Sequence, residues 1–279
     1  MILPTINLGK FKVTRLICGG NPPAGFSHMG YKKDIEMLNY YTMENIQKML
    51  DECWKNGINT VQFRGDNFFL RVMREHCNNN GKLQWIAQTV SEMKDLKSNI
   101  KKIIELKPIA IYIHGTDVDN KWHTGKIDEV KDIINFIKDN HIFAGLGTHI
   151  PEVLEYVEEK RWNVDFYMCS FYNLAKKFKP YQADLTKNEK NKVSEKEEYD
   201  NKDRDKMTSM MRKIEKSCLG FKILGAGRNC RTKKSVKDAF KYAFKNIKEK
   251  DAVVVGMFQK YKNQIKENAQ IVKEILSSN

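Results

Sequence analysis

No stretch of the 279 residues approaches the ~18 consecutive apolar residues of a membrane helix, so a helical bilayer-spanning protein is excluded. The six cysteines, at positions 18, 53, 77, 169, 218 and 230, are far apart and include no Cys-x-x-Cys pair. A zinc clip or a disulfide frame is thereby excluded, no metal site is expected, and reduced thiols in a cytoplasmic protein are. The opening residues Met1 to Lys10 have no basic start, long apolar stretch or small-residue cleavage site, so no secretory signal is expected. No zinc-finger or RNP-type aromatic motif is present, which leaves nucleic-acid binding without a motif. A Gly-rich dinucleotide fingerprint is missing too. The first predicted strand is followed by Gly19-Gly20-Asn21-Pro22-Pro23, where the prolines forbid a helix.

What is present is globular in composition, with 41% hydrophobic and 30% charged residues, which argues against disorder and coiled coil. The formal charge is +14, and half of it sits between Arg231 and Asn279, where 12 Lys/Arg face 5 Asp/Glu. These lysines fall at helical spacing between apolar residues, so they read as the wet faces of two helices.

Short β-branched apolar runs alternate with longer amphipathic ones. Eight runs read as strands buried on both faces, the pattern of a parallel sheet. They are Arg15–Cys18, Asn59–Phe63, Gln84–Gln88, Ile109–Ile113, Phe143–Leu146, Val164–Met168, Gly220–Leu224 and Ala252–Val255. Helices are expected near Met43–Asn56 (N-cap Thr42, Gly57 past its end), Glu92–Leu106, Ile127–Asp139, Pro151–Glu159, Ser235–Lys248 and Lys262–Leu276. Eight strand–helix units over this length predict one closed (β/α)8 TIM barrel spanning residues 1–279. Leu185 to Lys206 breaks the rhythm. It holds seven basic and seven acidic residues and almost nothing apolar, so it reads as a flexible charged insertion after strand six.

In such a barrel the C-terminal strand ends meet over one mouth. The strand ends here carry Gln62, Arg64 and Asp66; Gln88 and Thr89; His114; Thr148 and His149; Ser170, Tyr172 and Asn173; and Gly225, Gly227 and Arg228. Asp66, Thr89 and Thr148 also suit helix caps. Two histidines, two glutamines and two arginines are costly to bury without purpose, and they predict a small-molecule pocket. His114 and His149 end adjacent strands and suit acid–base work. Arg64 and Arg228 suit a bidentate grip on an anion, and Gly225-Ala226-Gly227-Arg228 suits either a phosphate cradle or a tight turn. His28 lies in a long loop from Asn21 to Tyr41, and His76, His123 and His141 read as surface residues.

Several stretches, in chain order, resemble the aldo/keto reductases. They are Leu8 to Asn21 (first hairpin and strand), Gly57-Ile58-Asn59-Thr60, Tyr112-Ile113-His114, Phe171-Tyr172-Asn173-Leu174, and Val255-Gly256-Met257 followed by Gln264, Glu267 and Asn268. The resemblance implies a barrel that holds NADP(H) along strands six to eight. Asn173, Gly256, Gln264, Glu267 and Asn268 would then be cofactor residues, joined by Gly225, Gly227 and Arg228. It also implies carbonyl reduction by a tyrosine, a lysine, an aspartate and a histidine. At those positions this chain has Asn67, Gln88, Gln62 and His114, so one of the four matches. An amide neither donates a proton at useful rates nor lowers a phenol pKa. Cys18 to His28, Gln62 to Asp66, Trp85 to Thr89 and Leu224 to Arg228 look like an uncharacterised bacterial branch of that family. The expectation is an NADP(H)-dependent oxidoreductase acting on a small carbonyl or hydroxy substrate through His114, His149, Arg64, Gln62 and Gln88. The alternatives are a cofactor-free isomerase or lyase on a small anion, and a catalytically inactive ligand-binding barrel.

Overall fold

Two-residue alternation sets the architecture. In each barrel strand one set of side chains enters the cylinder and the next set enters the shell between strands and helices. The inner set includes Ile17, Ile86, Tyr112, Phe166, Met168, Leu219 and Val254, packed as one cluster. The outer set, with Leu16, Cys18, Val61, Phe63, Ile111, Tyr167 and Cys169, packs against the helices in a second and larger cluster. Both faces are dry, which explains the continuous apolar runs.

The structure, a computed structural model, describes residues 2–176 and 198–277. It begins with an antiparallel hairpin, β1 (Thr5–Leu8) and β2 (Phe11–Thr14). The barrel strands follow as β3 (Leu16–Gly19), β4 (Thr60–Arg64), β5 (Gln84–Gln88), β6 (Ala110–Ile113), β7 (Phe143–Thr148), β8 (Phe166–Ser170), β9 (Ser217–Phe221) and β10 (Ala252–Gly256). All eight pair in parallel, and β10 returns to β3, closing the barrel. The hairpin lies across its lower end, where Ile6, Leu8 and Val13 pack with Ile109, Ala110 and Ala252 at the starts of the strands. One glycine in the barrel has a clear steric reason. A Cβ on Gly145 of β7 would sit 2.3 Å from Phe166 Cζ, so the absent side chain is the space that the phenylalanine ring fills.

The helices are α1 (Tyr31–Tyr40), α2 (Met43–Lys55), α3 (Asn67–Asn78), α4 (Leu96–Ile104), α5 (Gly115–His123), α6 (Asp128–Asp139), α7 (Pro151–Glu159), α8 (Asn201–Lys213), α9 (Lys233–Asn246) and α10 (Gln264–Ser277). Thr42 caps α2 by accepting from Asn45 N, and Asp66 caps α3 by accepting from Phe69 N. None of the described helices is long and apolar enough to cross a membrane.

The eight-stranded barrel matches the sequence expectation; several details differ from it. The seventh barrel strand runs from Ser217 to Phe221, not from Gly220 to Leu224. Gly220 belongs inside the strand because the ring of Phe171 occupies the place of its Cβ, 2.7 Å away, while Ile223 and Leu224 continue into the cavity wall. The expected loop from Asn21 to Tyr41 contains α1. Of the expected charged insertion, residues 185–197 lie outside the described residues, and residues 201–206 form the first turns of α8, whose Met207 and Met211 are buried. His76, expected at the surface, is buried and accepts a hydrogen bond from Leu83 N at 3.2 Å.

Candidate active site

The inward register delivers one polar side chain after another to the upper end of the cylinder. Arg64 lies opposite Gln88, and Gln88 opposite Tyr112, in the pairing of β4, β5 and β6. Counting by twos adds His114 beyond Tyr112, and His149 beyond Gly145 and Gly147. All five expected catalytic residues, Gln62, Arg64, Gln88, His114 and His149, line a cavity of about 910 Å³, which is the size of small-molecule sites. Tyr112, Met168 and Val254 also line it and belong to the inner core, so they form its floor.

The best-ordered chemistry is at His149. Asp119, on α5 and buried, accepts from His149 Nδ1 at 2.7 Å and from Thr148 Oγ1 at 2.5 Å. It also accepts from His149 backbone N, at 3.3 Å to each carboxylate oxygen. A carboxylate only accepts, so the proton between the two side chains belongs to Nδ1. Nε2 is then the nitrogen left for the cavity. The Phe221 ring meets the imidazole edge-on, with centroids 5.5 Å apart.

His114 is the N-cap of α5, and its backbone N–H donates to Thr89 Oγ1 at 3.1 Å. Its Nδ1 is buried with no hydrogen-bond partner among the described residues. Burial first, and then the electrostatic influence of the neighbouring His149 ring and the Arg64 guanidinium, holds its pKa down to about 3. His114 is therefore a neutral imidazole at physiological pH. Tyr112 lies two residues before it, and burial raises its phenol pKa, so the hydroxyl keeps its proton. The side chains of Gln62 and Gln88 make no hydrogen bond to a described residue, and both line the cavity.

Arg64 is in the mouth, but its charge is already matched. Nε donates to Asp66 Oδ2 at 3.0 Å, and one terminal nitrogen donates to both oxygens of Glu92, at 3.0 and 3.1 Å. Arg228 is outside the cavity lining. Its guanidinium lies 3.7 Å over the Tyr199 ring and donates to the carbonyls of Gly225 and His28. The Gly225–Gly227 turn takes positive φ at all three residues, +57°, +49° at Ala226 and +91°. The tight-turn reading of those glycines is satisfied, and Gly227 lines the cavity.

Among the other expected cofactor residues, Gly256 and Gln264 line the same cavity. Gln264 Oε1 also accepts from Phe258 N at 2.9 Å, which shapes the loop after β10. Asn173 is turned to local work, accepting from Ala175 N at 3.0 Å. Glu267 pairs with Lys262 at 2.6 Å, and Asn268 is buried in α10. Sequence reasoning missed Asp119 and Tyr112 as site residues. Tyr112 was legible, since it shares the inward face with His114 two residues on. Asp119 was not, because its partner is 30 positions away.

The closed eight-stranded parallel barrel gathers its polar groups at the strand C-termini, the end at which barrels of this kind carry their sites. The particular fold is that of the aldo-keto reductases. An aldo-keto reductase of Bacillus halodurans in its holo form superposes with a TM-score of 0.59 at 12% identity, covering 100% of this chain and 96% of that one. Gox0644 in its apo form gives 0.57 at 9% identity, covering 98% and 93%. An aldo/keto reductase of Brucella melitensis gives 0.55 at 10%, covering 98% and 99%. No protein-family profile matches the sequence, and no curated protein matches it.

Proposed function

We propose that this chain is an NADP(H)-dependent oxidoreductase for a small carbonyl or hydroxy compound, with the Asp119–His149 pair in place of a tyrosine proton donor. The observation that carries the reading is the 2.7 Å hydrogen bond from His149 Nδ1 to a buried carboxylate, which leaves Nε2 for the cavity.

The cavity fits a dinucleotide in extent. One continuous space joins Gln62 and His149 on one side to Gly227, Gly256 and Gln264 on the other. A Cβ on Gly256 would lie 2.7 Å from Pro22 Cδ, so the narrow passage there depends on glycine. Gly227, Gly256 and Gln264 would hold the dinucleotide, with Arg228, Asn173, Glu267 and Asn268 shaping the wall behind them. When bound, the cofactor supplies a hydride to a carbonyl carbon or takes one from a carbinol carbon.

The proton is the protein's part. Neutral His149 accepts it at Nε2 from a substrate hydroxyl, and the imidazolium returns it to a carbonyl oxygen. Asp119 stabilises the charged ring and fixes its tautomer. Tyr112, kept protonated by burial, donates a hydrogen bond to the same oxygen. Neutral His114 adds a polar group without adding charge.

Titration of NADPH and NADP+ against intrinsic fluorescence and melting temperature tests the reading. Binding of either supports it, and no shift with either at millimolar concentration overturns it. With a substrate in hand, His149→Gln is expected to keep NADPH affinity and to lower turnover by about 10²–10⁴-fold.

A further inference from the structure

Positive charge is spread unevenly over the outside of the barrel. α8, α9 and α10 pack side by side, and each turns lysines toward solvent. On α9 the row is Lys234, Lys237, Lys241 and Lys245, in steps of three and four residues that keep to one helical face. α8 carries Lys202, Lys206 and Lys213, and α10 carries Lys266 and Lys273, again at spacings that return to one face. At about 1.5 Å per residue the α9 row runs ~16 Å, and helices about 8–10 Å apart make the three rows a face some ~20 Å wide. On the neighbouring α7 the exposed residues are instead Glu152, Glu155 and Glu159, so the sign of the charge changes at the edge of this face.

Most of these lysines are unmatched. Lys234 pairs with Asp238 at 2.8 Å, and Lys237 with Glu274 at 2.7 Å. The other carboxylates nearby are engaged elsewhere. Asp205 accepts from the Tyr242 hydroxyl, and Asp200 caps α8 by accepting from Lys202 N at 2.9 Å. The remaining lysines of the three rows form no ion pair with a described residue. Like charges held on one rigid face repel one another, and a polyanion laid across them relieves that repulsion.

The other side chains of the face decide which polyanion fits. Among the described residues, no exposed large apolar side chain belongs to α8, α9 or α10. A free aromatic on which the bases of a single strand could stack is therefore missing. So is an apolar anchor for a lipid interface. Arginine, which reads guanine through two parallel hydrogen bonds, is committed to the protein here. Arg204 lies 4.2 Å over the Tyr242 ring, and Arg212 donates to the Asn246 carbonyl at 2.7 Å. What is left is lysine, a point charge that meets a phosphate without demanding a particular geometry.

We propose that the outer face of α8, α9 and α10 binds the phosphate backbone of double-stranded nucleic acid, without reading its sequence. None of these lysines lines the cavity, so the assignment stands apart from the proposed function.

Fluorescence anisotropy of a labelled mixed-sequence duplex of about 20 base pairs tests the proposal, with the full chain titrated at about 20 to 200 mM KCl. The expected dissociation constant is on the order of micromolar at about 50 mM salt, and log K should fall linearly with log salt, by about 0.9 for each phosphate neutralised. Lys213→Gln, Lys241→Gln and Lys245→Gln, combined, should weaken the complex about 10-fold or more at that salt and make the slope shallower by about 2 to 3. The control combines Lys94→Gln, Lys101→Gln and Lys102→Gln, which removes the same charge around α4, behind β5 on the far side of the barrel from α9. It should leave the slope unchanged. All six lysines are exposed, so both variants should keep the melting temperature of the parent.

Equal losses in the two variants would mean that net charge alone is felt, and would overturn the assignment. Absence of binding at about 20 mM salt with about 100 µM protein would overturn it as well. So would tighter binding to a single strand of the same sequence, or to vesicles of phosphatidylglycerol, than to the duplex.

Discussion

Replacing Asp119 by asparagine removes one charge, keeps the shape and disturbs every donor that the carboxylate now satisfies. Those donors are the Thr148 hydroxyl, the His149 ring and the His149 backbone N–H. An asparagine can place its oxygen toward the ring, which leaves its NH2 toward Thr148. The hydroxyl must then turn from donor to acceptor. Alternatively it places the NH2 toward the ring, and His149 must move its proton from Nδ1 to Nε2. Either way at least one charge-assisted hydrogen bond, worth about 1.5–3 kcal/mol, becomes a neutral one worth about 0.5–1.5. The net cost is about 1–2 kcal/mol. A protein of this length loses roughly 2–4 °C of melting temperature per kcal/mol, so the expected fall is about 2–8 °C. Thermal denaturation followed by circular dichroism measures it, and ¹⁵N shifts of the His149 ring report the tautomer directly. A melting temperature unchanged within about 1 °C, together with an unchanged tautomer, would refute the view that Asp119 holds the ring.

Three further outcomes are expected. Gly145→Ala places a methyl against the buried Phe166 ring and should cost about 1–3 kcal/mol in urea denaturation; Phe166→Leu added to it should recover part of the loss, and additive losses would count against the contact. Between the ordinary histidine value of 6.5 and about 3, the unfolded chain binds a proton at His114 that the folded chain does not. Acidification across that window therefore destabilises the fold, by at most ~1.4 kcal/mol per pH unit from this ring; His114→Gln should flatten the pH dependence of melting there, and an unaltered slope would contradict the assignment. Gly256→Ala drives a methyl toward Pro22 and should weaken NADPH by about 10-fold in fluorescence titration, roughly 1.4 kcal/mol; an unchanged affinity would separate that passage from the dinucleotide site.

Much of the architecture was legible because parallel strands dry on both faces leave unbroken apolar runs such as Ala252–Val255. α7 matches its expected bounds to the residue, helped by Pro151 at its start. The elements that escaped have physical reasons. α5 opens on Gly115 and Thr116 beside the polar mouth, so its helical face is short and its buried side offers one large apolar residue, Val118, next to Asp119. α8 begins in a charged run, and only its methionines, Met207, Met210 and Met211, reveal that it packs. The rim was legible from strand periodicity, which is why Gln62, Arg64, Gln88, His114 and His149 meet at one cavity. The state of those groups was not. Neither the matching of Arg64 by Glu92, 28 residues away, nor the stacking of Arg228 on Tyr199 follows from spacing along the chain.

The packed interior makes the cylinder a cup rather than a pipe, and the hairpin of β1 and β2 covers its base. With Tyr112, Met168 and Val254 as its floor, whatever enters the cavity must leave by the way it came. Of two molecules that share the cavity, one seated on the floor beneath the other would leave only after it. Steady-state inhibition patterns would carry the imprint of that single doorway.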